Sequence, residues 1–122
     1  MTINKVNLQA KFGLFSDHWS PKLAGTINNF AVKLAKVQGE FDWHHHPEED
    51  EFFMVIDGQL TIQLRDQDDI VLNPGEFVVI PHGVEHKPVA AEETQIMMIE
   101  RETTLNTGNV RTDKTVETLD TI

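Results

Sequence analysis

Apolar and polar residues alternate along the middle of the chain. Leu60, Ile62 and Leu64 fall on one side of an extended segment, and Gln59, Thr61, Gln63 and Arg65 on the other. That is the period of a half-buried strand. Phe30, Val32 and Leu34 repeat the pattern before Gly39 interrupts it. Phe41 to His46 reads as extended and stops at Pro47, and Glu51 to Ile56 is aromatic and β-branched up to the Asp57-Gly58 turn. Short strands over Ile70 to Leu72, Phe77 to Ile80, His86 to Val89 and Ile96 to Glu100 complete the set, with Asn73-Pro74-Gly75 and Pro81-His82-Gly83 as breakers. Many short strands between Gly/Pro turns predict an all-β sandwich or barrel and argue against alternating strands and helices.

The pattern weakens toward both ends. Its core covers about residues 30–100. Segments within residues 8–29, notably Phe12 to Phe15 and Ile27 to Phe30, are expected as edge strands. Residues 103–122 form a polar, Thr-rich tail, where only Val116, Leu119 and Ile122 hint at a short helix. A length of 122 residues suits one domain, 1–122, with a core of its own.

Composition narrows the function classes. The formal net charge is −10 and the ten Lys and Arg are scattered singly, so no basic patch offers itself to nucleic acid or to an anionic membrane. No apolar run is long enough to span a bilayer, and residues 1–13 lack a secretory h-region. There is no cysteine, which excludes disulfides, thiolate ligands and cysteine nucleophiles. A cytoplasmic location is the expectation.

The chemistry is concentrated in two windows. In the first, Trp43 to Glu51, alternation puts His44 and His46 on one face of an extended segment and His45 on the other. Glu51 opens the next strand, where an oxygen ligand can reach the same point. In the second, Pro81 to His86, His86 follows a Gly-containing turn and suits a fourth ligand arriving from across a barrel. Three imidazoles and one carboxylate suit a divalent transition metal such as Fe, Mn, Zn, Ni or Cu, and leave coordination positions for water or substrate. Asp42 lies on the side of His44 and His46, a place from which a partner can orient an imidazole. Phe53, two residues after Glu51, is expected to face inward as pocket wall or core. His82, in the turn, is a candidate acid/base group, since an imidazole suits proton transfer near neutrality. Met97 and Met98 read as core filler, and Trp43 as packing outside the barrel.

The order of these residues resembles the cupin superfamily. His44 and His46 are one residue apart; four residues separate His46 from Glu51, and six separate Glu51 from Gly58. That is the spacing of the first cupin motif. Gly75, five residues, Pro81-His82-Gly83, two residues and His86 follow the second. Two positions depart: Gly39 lies four residues, not five, before His44, and Ala90 replaces the closing Asn of the second motif. The resemblance covers about residues 30–100. It implies a double-stranded β-helix, or jelly roll, with His44, His46, Glu51 and His86 as metal ligands near an open mouth. It also implies an enzyme with dioxygenase-, isomerase- or decarboxylase-like chemistry on a small organic molecule. A non-catalytic binding or sensing barrel, or a metal carrier, is the alternative. Sugar phosphates are disfavoured, because no Arg or Lys cluster stands at the mouth. A homodimer is expected, through the apolar N-terminal residues Phe12, Leu14 and Phe15.

Overall fold

The computed structural model describes residues 2–122. Its order is α1 (Leu8–Phe12), β1 (Lys22–Ile27), β2 (Phe30–Glu40), β3 (Glu51–Asp57), β4 (Leu60–Leu64), β5 (Ile70–Leu72), β6 (Phe77–Ile80) and β7 (His86–Arg101). The strands form an antiparallel jelly roll. One path runs β1-β2-β7-β3-β6, and β4 joins β7 to β5. Inward-facing Ala35, Val37, Phe53, Val55, Leu60, Ile62, Leu72, Ile80, Ala90, Ile96 and Met98 build the core. Among the described residues no helix is long and apolar enough to cross a membrane.

The strand that organises the barrel is β7. The sequence suggests two strands here, but His86–Arg101 is continuous. Its first residues pair with β4, its last with β3, and β2 follows it along most of its length. Every even-numbered position except Glu92 is buried, from His86 to Glu100. A straight strand of that length would span about 50 Å. Here it curls. Between the pairs Val37–Thr94 and Gly39–Ala90, β2 has one residue and β7 has three, so β7 carries a bulge at Ala91, Glu92 and Glu93. Gly39, with φ of 86°, lets β2 bend at the same place.

The two ends differ from expectation. Of residues 8–29, only Lys22–Ile27 is a strand. Leu8–Phe12 is a helical turn instead, capped by Asn7, whose Oδ1 accepts from the Ala10 N–H at 2.9 Å. Phe12 is buried within this chain, and α1 packs against β2. Ile27 to Phe30 is not one strand: Ile27 ends β1, Phe30 opens β2, and the hairpin turns at Asn28 and Asn29, with Asn28 at φ of 55°, a conformation Asn tolerates better than most residues. No helix forms at Val116, Leu119 and Ile122. The tail instead lies beside β1, where Leu23 N donates to Asp120 O at 2.8 Å and Ile122 N to Leu23 O at 3.0 Å. Phe41 to His46 is extended but not a regular strand: Phe41 N donates to Pro88 O, and only His44 and His86 form a bridge. Pro88 has no N–H to return, so the ladder cannot continue.

Candidate metal centre

The first-window segment and the second-window turn are tied together by backbone. His44 N donates to His86 O at 3.1 Å, and His86 N to His44 O at 2.9 Å. Gly83 N donates to His46 O at 2.8 Å. Glu51 opens β3 opposite Ile80 of β6. These pairings bring His44, His46, Glu51 and His86 together, all buried, with one donor atom from each inside a sphere of contacts no longer than 4.8 Å. His45, between two members, is half-buried and outside the cluster.

The donor set fits a cation. Nδ1 of His44 lies 2.9 Å from Asp42 O, and Nδ1 of His86 lies 2.9 Å from Val84 O. A carbonyl only accepts, so both Nδ1 atoms carry the hydrogen and both Nε2 atoms present lone pairs inward. His86 Nε2 nevertheless stands 3.2 Å from Glu51 Oε1. His46 Nε2 stands 3.3 Å from the same oxygen, and neither His46 nitrogen has a hydrogen-bond partner. Lone pairs facing a carboxylate in a dry site require a positive centre between them. Three imidazoles and a carboxylate suit a divalent transition metal ion in that place.

The electrostatics agree. Burial, helped by the neighbouring His86, pushes the His44 imidazole down to about 4, so a proton is a poor occupant at neutral pH. Burial works to raise Glu51, but Glu100, His46 and His86 outweigh it and hold the carboxyl well below the usual range. Glu100, on β7, is raised well above that range by burial and by the charge of Glu51. Lys33 donates to Glu100 Oε1 at 2.7 Å and to Thr104 O at 3.2 Å from behind.

A narrow cavity is lined in part by His44 and Glu51. Its wall is mostly apolar, with Trp19, Phe41, Phe53, Ile96 and Met98 prominent. Phe53 therefore lies on the wall and also touches the cluster, its ring 6.0 Å from that of His86. Asp42 does orient an imidazole, but through its backbone carbonyl; its own Oδ2 is buried and unpartnered. His82 is exposed and held by Asp50, whose Oδ1 accepts from its N–H at 2.9 Å and lies 3.0 Å from Nδ1. It does not line the cavity. Trp43 stacks outside against Arg65, 3.7 Å from guanidinium carbon to ring centroid. Sequence reasoning missed Glu100, Lys33, Trp19 and Asn106. For Glu100 the signal was present: Ile96, Met98 and Glu100 share a strand face, and a carboxyl on an apolar face is an anomaly. Trp19 and Asn106 lie outside the periodic region and gave no such sign.

Two expectations follow. His44→Ala, His46→Ala and His86→Ala should each empty the site after dialysis against a weak chelator, and Glu51→Gln should weaken it. His45→Ala should keep about the wild-type metal content, read as metal per chain. The second concerns pH. Unfolded, His44 titrates near 6.5; folded, near 4. Between these values the unfolded chain holds a proton that the folded chain does not. Stability of metal-free protein therefore falls as pH drops through this window, by up to about 3 kcal/mol from this residue. Glu100 opposes the trend, because its raised value favours the fold at low pH. Urea melts of wild type and His44→Gln at pH 7 and 4.5 isolate the His44 contribution; equal slopes for the two proteins would refute it.

Comparison with known proteins agrees with this architecture. Residues 31–100 match the Cupin_2 family model, described as a cupin domain. The uncharacterized protein YdbB of Bacillus subtilis is 38% identical over 74 residues, which is 61% of this chain and 66%, just under two thirds, of that protein. A crystal structure of a cupin-2 domain containing protein from Shewanella frigidimarina is 52% identical, with a TM-score of 0.78, covering 80% of this chain and 94% of that one. Hydroquinone 1,2-dioxygenase from Sphingomonas, crystallised with 4-hydroxybenzoate bound, shares the fold at 15% identity and a TM-score of 0.67, over 84% of this chain and 81% of that one. By motif, by barrel and by relatives, the chain belongs to the cupin family.

Proposed function

We propose that this chain is a metal-dependent enzyme of the cytoplasm that acts on a small, mostly apolar organic molecule, with oxidoreductase chemistry of the dioxygenase type. One observation carries the reading: two of the four buried ligands, His44 and Glu51, line a cavity whose wall is mostly apolar and aromatic. Such a cavity recognises a flat hydrophobic body and leaves polar recognition to its inner end. No Arg or Lys lines the cavity, and the nearest buried cation, Lys33, is bonded to Glu100, so a phosphorylated sugar finds no protein side chain to grip its phosphate. This disfavours isomerase chemistry on sugar phosphates. The Sphingomonas dioxygenase shows that the same barrel accommodates the proposed chemistry, and no more than that.

A divalent transition ion held by His44, His46, Glu51 and His86 would supply Lewis acidity or redox capacity at the inner end. The chain's own residues do the rest. The Asp42 and Val84 carbonyls fix two imidazoles with Nε2 inward. Trp19, Phe41 and Phe53 exclude water and limit the thickness of the substrate. Glu100 lines the cavity with Glu51 and is braced by Lys33.

The test loads the protein in turn with Fe(II), Mn(II), Zn(II), Ni(II) and Cu(II). Oxygen uptake and product formation are then followed with small hydroxylated aromatics and with sugar phosphates. Turnover of the first class alone is expected. Thermal stabilisation by a small molecule without conversion would make this a binding or sensing barrel. Ready metal exchange with neither effect would make it a carrier.

The reading includes a homodimer. Phe12 is buried and Phe15 half-buried within their own chain, which leaves Leu14 as the exposed member of the three. The outer sheet face offers more. The rows Val32–Ile99–Phe52–Val79 and Met97–Met54–Phe77 carry no charge, and Phe77 and Val79 are 59% and 48% exposed. On a chain of net charge −10, this uncharged face is where a second copy meets least repulsion. Light scattering at micromolar concentration should give a dimer that Phe77→Glu weakens; a wild-type monomer would count against it.

A further inference from the structure

The metal-binding segment has strand-type bonding on one edge only. Phe41, His44 and His46 reach β7 and the turn before it. On the other edge no strand lies alongside. Instead the C-terminal tail supplies one residue, Asn109. Its Oδ1 accepts from the His45 N–H at 2.8 Å, and its own N–H donates to His45 O at 3.0 Å. Both backbone polar groups of the residue between two ligands are thus satisfied by a single partner.

Next to it, Gly108 has φ of 58°, and a Cβ there would fall 2.2 Å from His45 O and 3.2 Å from His44 Cδ2. The tail therefore lies directly on the ligand segment. It is itself fixed: Thr107 is wholly buried and its hydroxyl meets that of Thr115 at 2.7 Å. Asn106, on the cavity wall, donates to Lys114 O at 2.8 Å and accepts from Val116 N at 2.9 Å.

We propose that Asn109, with Gly108 beside it, is a positioning residue for the metal site: by replacing the missing neighbour strand at His45, it fixes the backbone register that turns His44 and His46 inward together. This rests on the reading that the four buried side chains hold a metal. Alternation along a strand allows two registers, and a slip of one residue would present His45 instead. β7 constrains His44, and the turn before it constrains His46, at their own peptide groups. Asn109 constrains the residue between them, so the two ligands cannot rotate independently. The bonds go to backbone, so the identity of the His45 side chain is immaterial to the clamp.

Cobalt(II) is the probe, read by titration and by its visible absorption, alongside thermal melts of the metal-free protein. Asn109→Ala should bind cobalt(II) roughly 10- to 100-fold more weakly, with an altered spectrum, while the metal-free melt changes little. Asn109→Asp keeps the accepting oxygen and should restore both affinity and spectrum. Gly108→Ala should also weaken binding, and if it does not fold, the Asn109 pair still decides. Wild-type affinity and spectrum in Asn109→Ala would overturn the proposal. So would affinity and metal-free stability falling in parallel with no rescue by Asp, since that is mere packing. Wild-type protein that takes up no cobalt(II) would instead overturn the metal site itself.

Discussion

Four polar side chains have been taken out of water and pointed at one another, and the rest of the barrel is arranged around that cost. Inward lone pairs of His44 and His86 face the Glu51 carboxylate within the cluster. Without a cation these groups repel, and burial removes the water that would screen them. The protein holds them there because the cluster stands on backbone. The His44–His86 bridge, the Gly83–His46 bond and the start of β3 place the ligands before any ion arrives. Much of the folding free energy comes from an apolar core that extends well beyond the cluster, through Leu60, Ile62 and Leu72. The cluster draws on that reserve.

The Lys33–Glu100 pair belongs to the same account. A second buried carboxyl beside Glu51 would be expensive as an anion. Burial and the Glu51 charge raise it well above the usual carboxylate range, and Lys33 donates to it from the opposite side. The raised carboxyl and the ammonium beside it let two carboxyls share a small dry volume.

Much of the barrel was legible from period-2 alternation, because each strand between residues 30 and 90 is bounded by Gly, Pro or Asp turn signals. The ligand set was legible for a related reason: two histidines spaced by one residue share a face of any extended chain, whatever its hydrogen bonding. Alternation could not show where bonding stops. Phe41 to His46 alternates like a strand, yet Pro88 on its neighbour withholds the N–H that a ladder needs. At the N-terminus, Leu8–Phe12 is too short for a clear helical period, and its one local signal was the Asn7 cap. The tail's placement depends on contacts with Leu23 and His45 that are distant in sequence, and no local pattern encodes them.

The curl of β7 has one more consequence. Ala91, Glu92 and Glu93 are exposed, small or charged, and flanked by apolar segments, so they look like a surface loop that would tolerate a change of length. They are instead the bend of one strand. His86 at its start lies 3.2 Å from Glu51, and Glu100 near its end lines the same cavity as Glu51. Both ends must keep the same parity for both side chains to point inward. A one-residue insertion or deletion at this exposed spot would turn one half of the strand inside out. Either His86 or the Glu100 carboxyl would then be carried to the outer surface. Length at this site, more than residue identity, is what the barrel cannot vary.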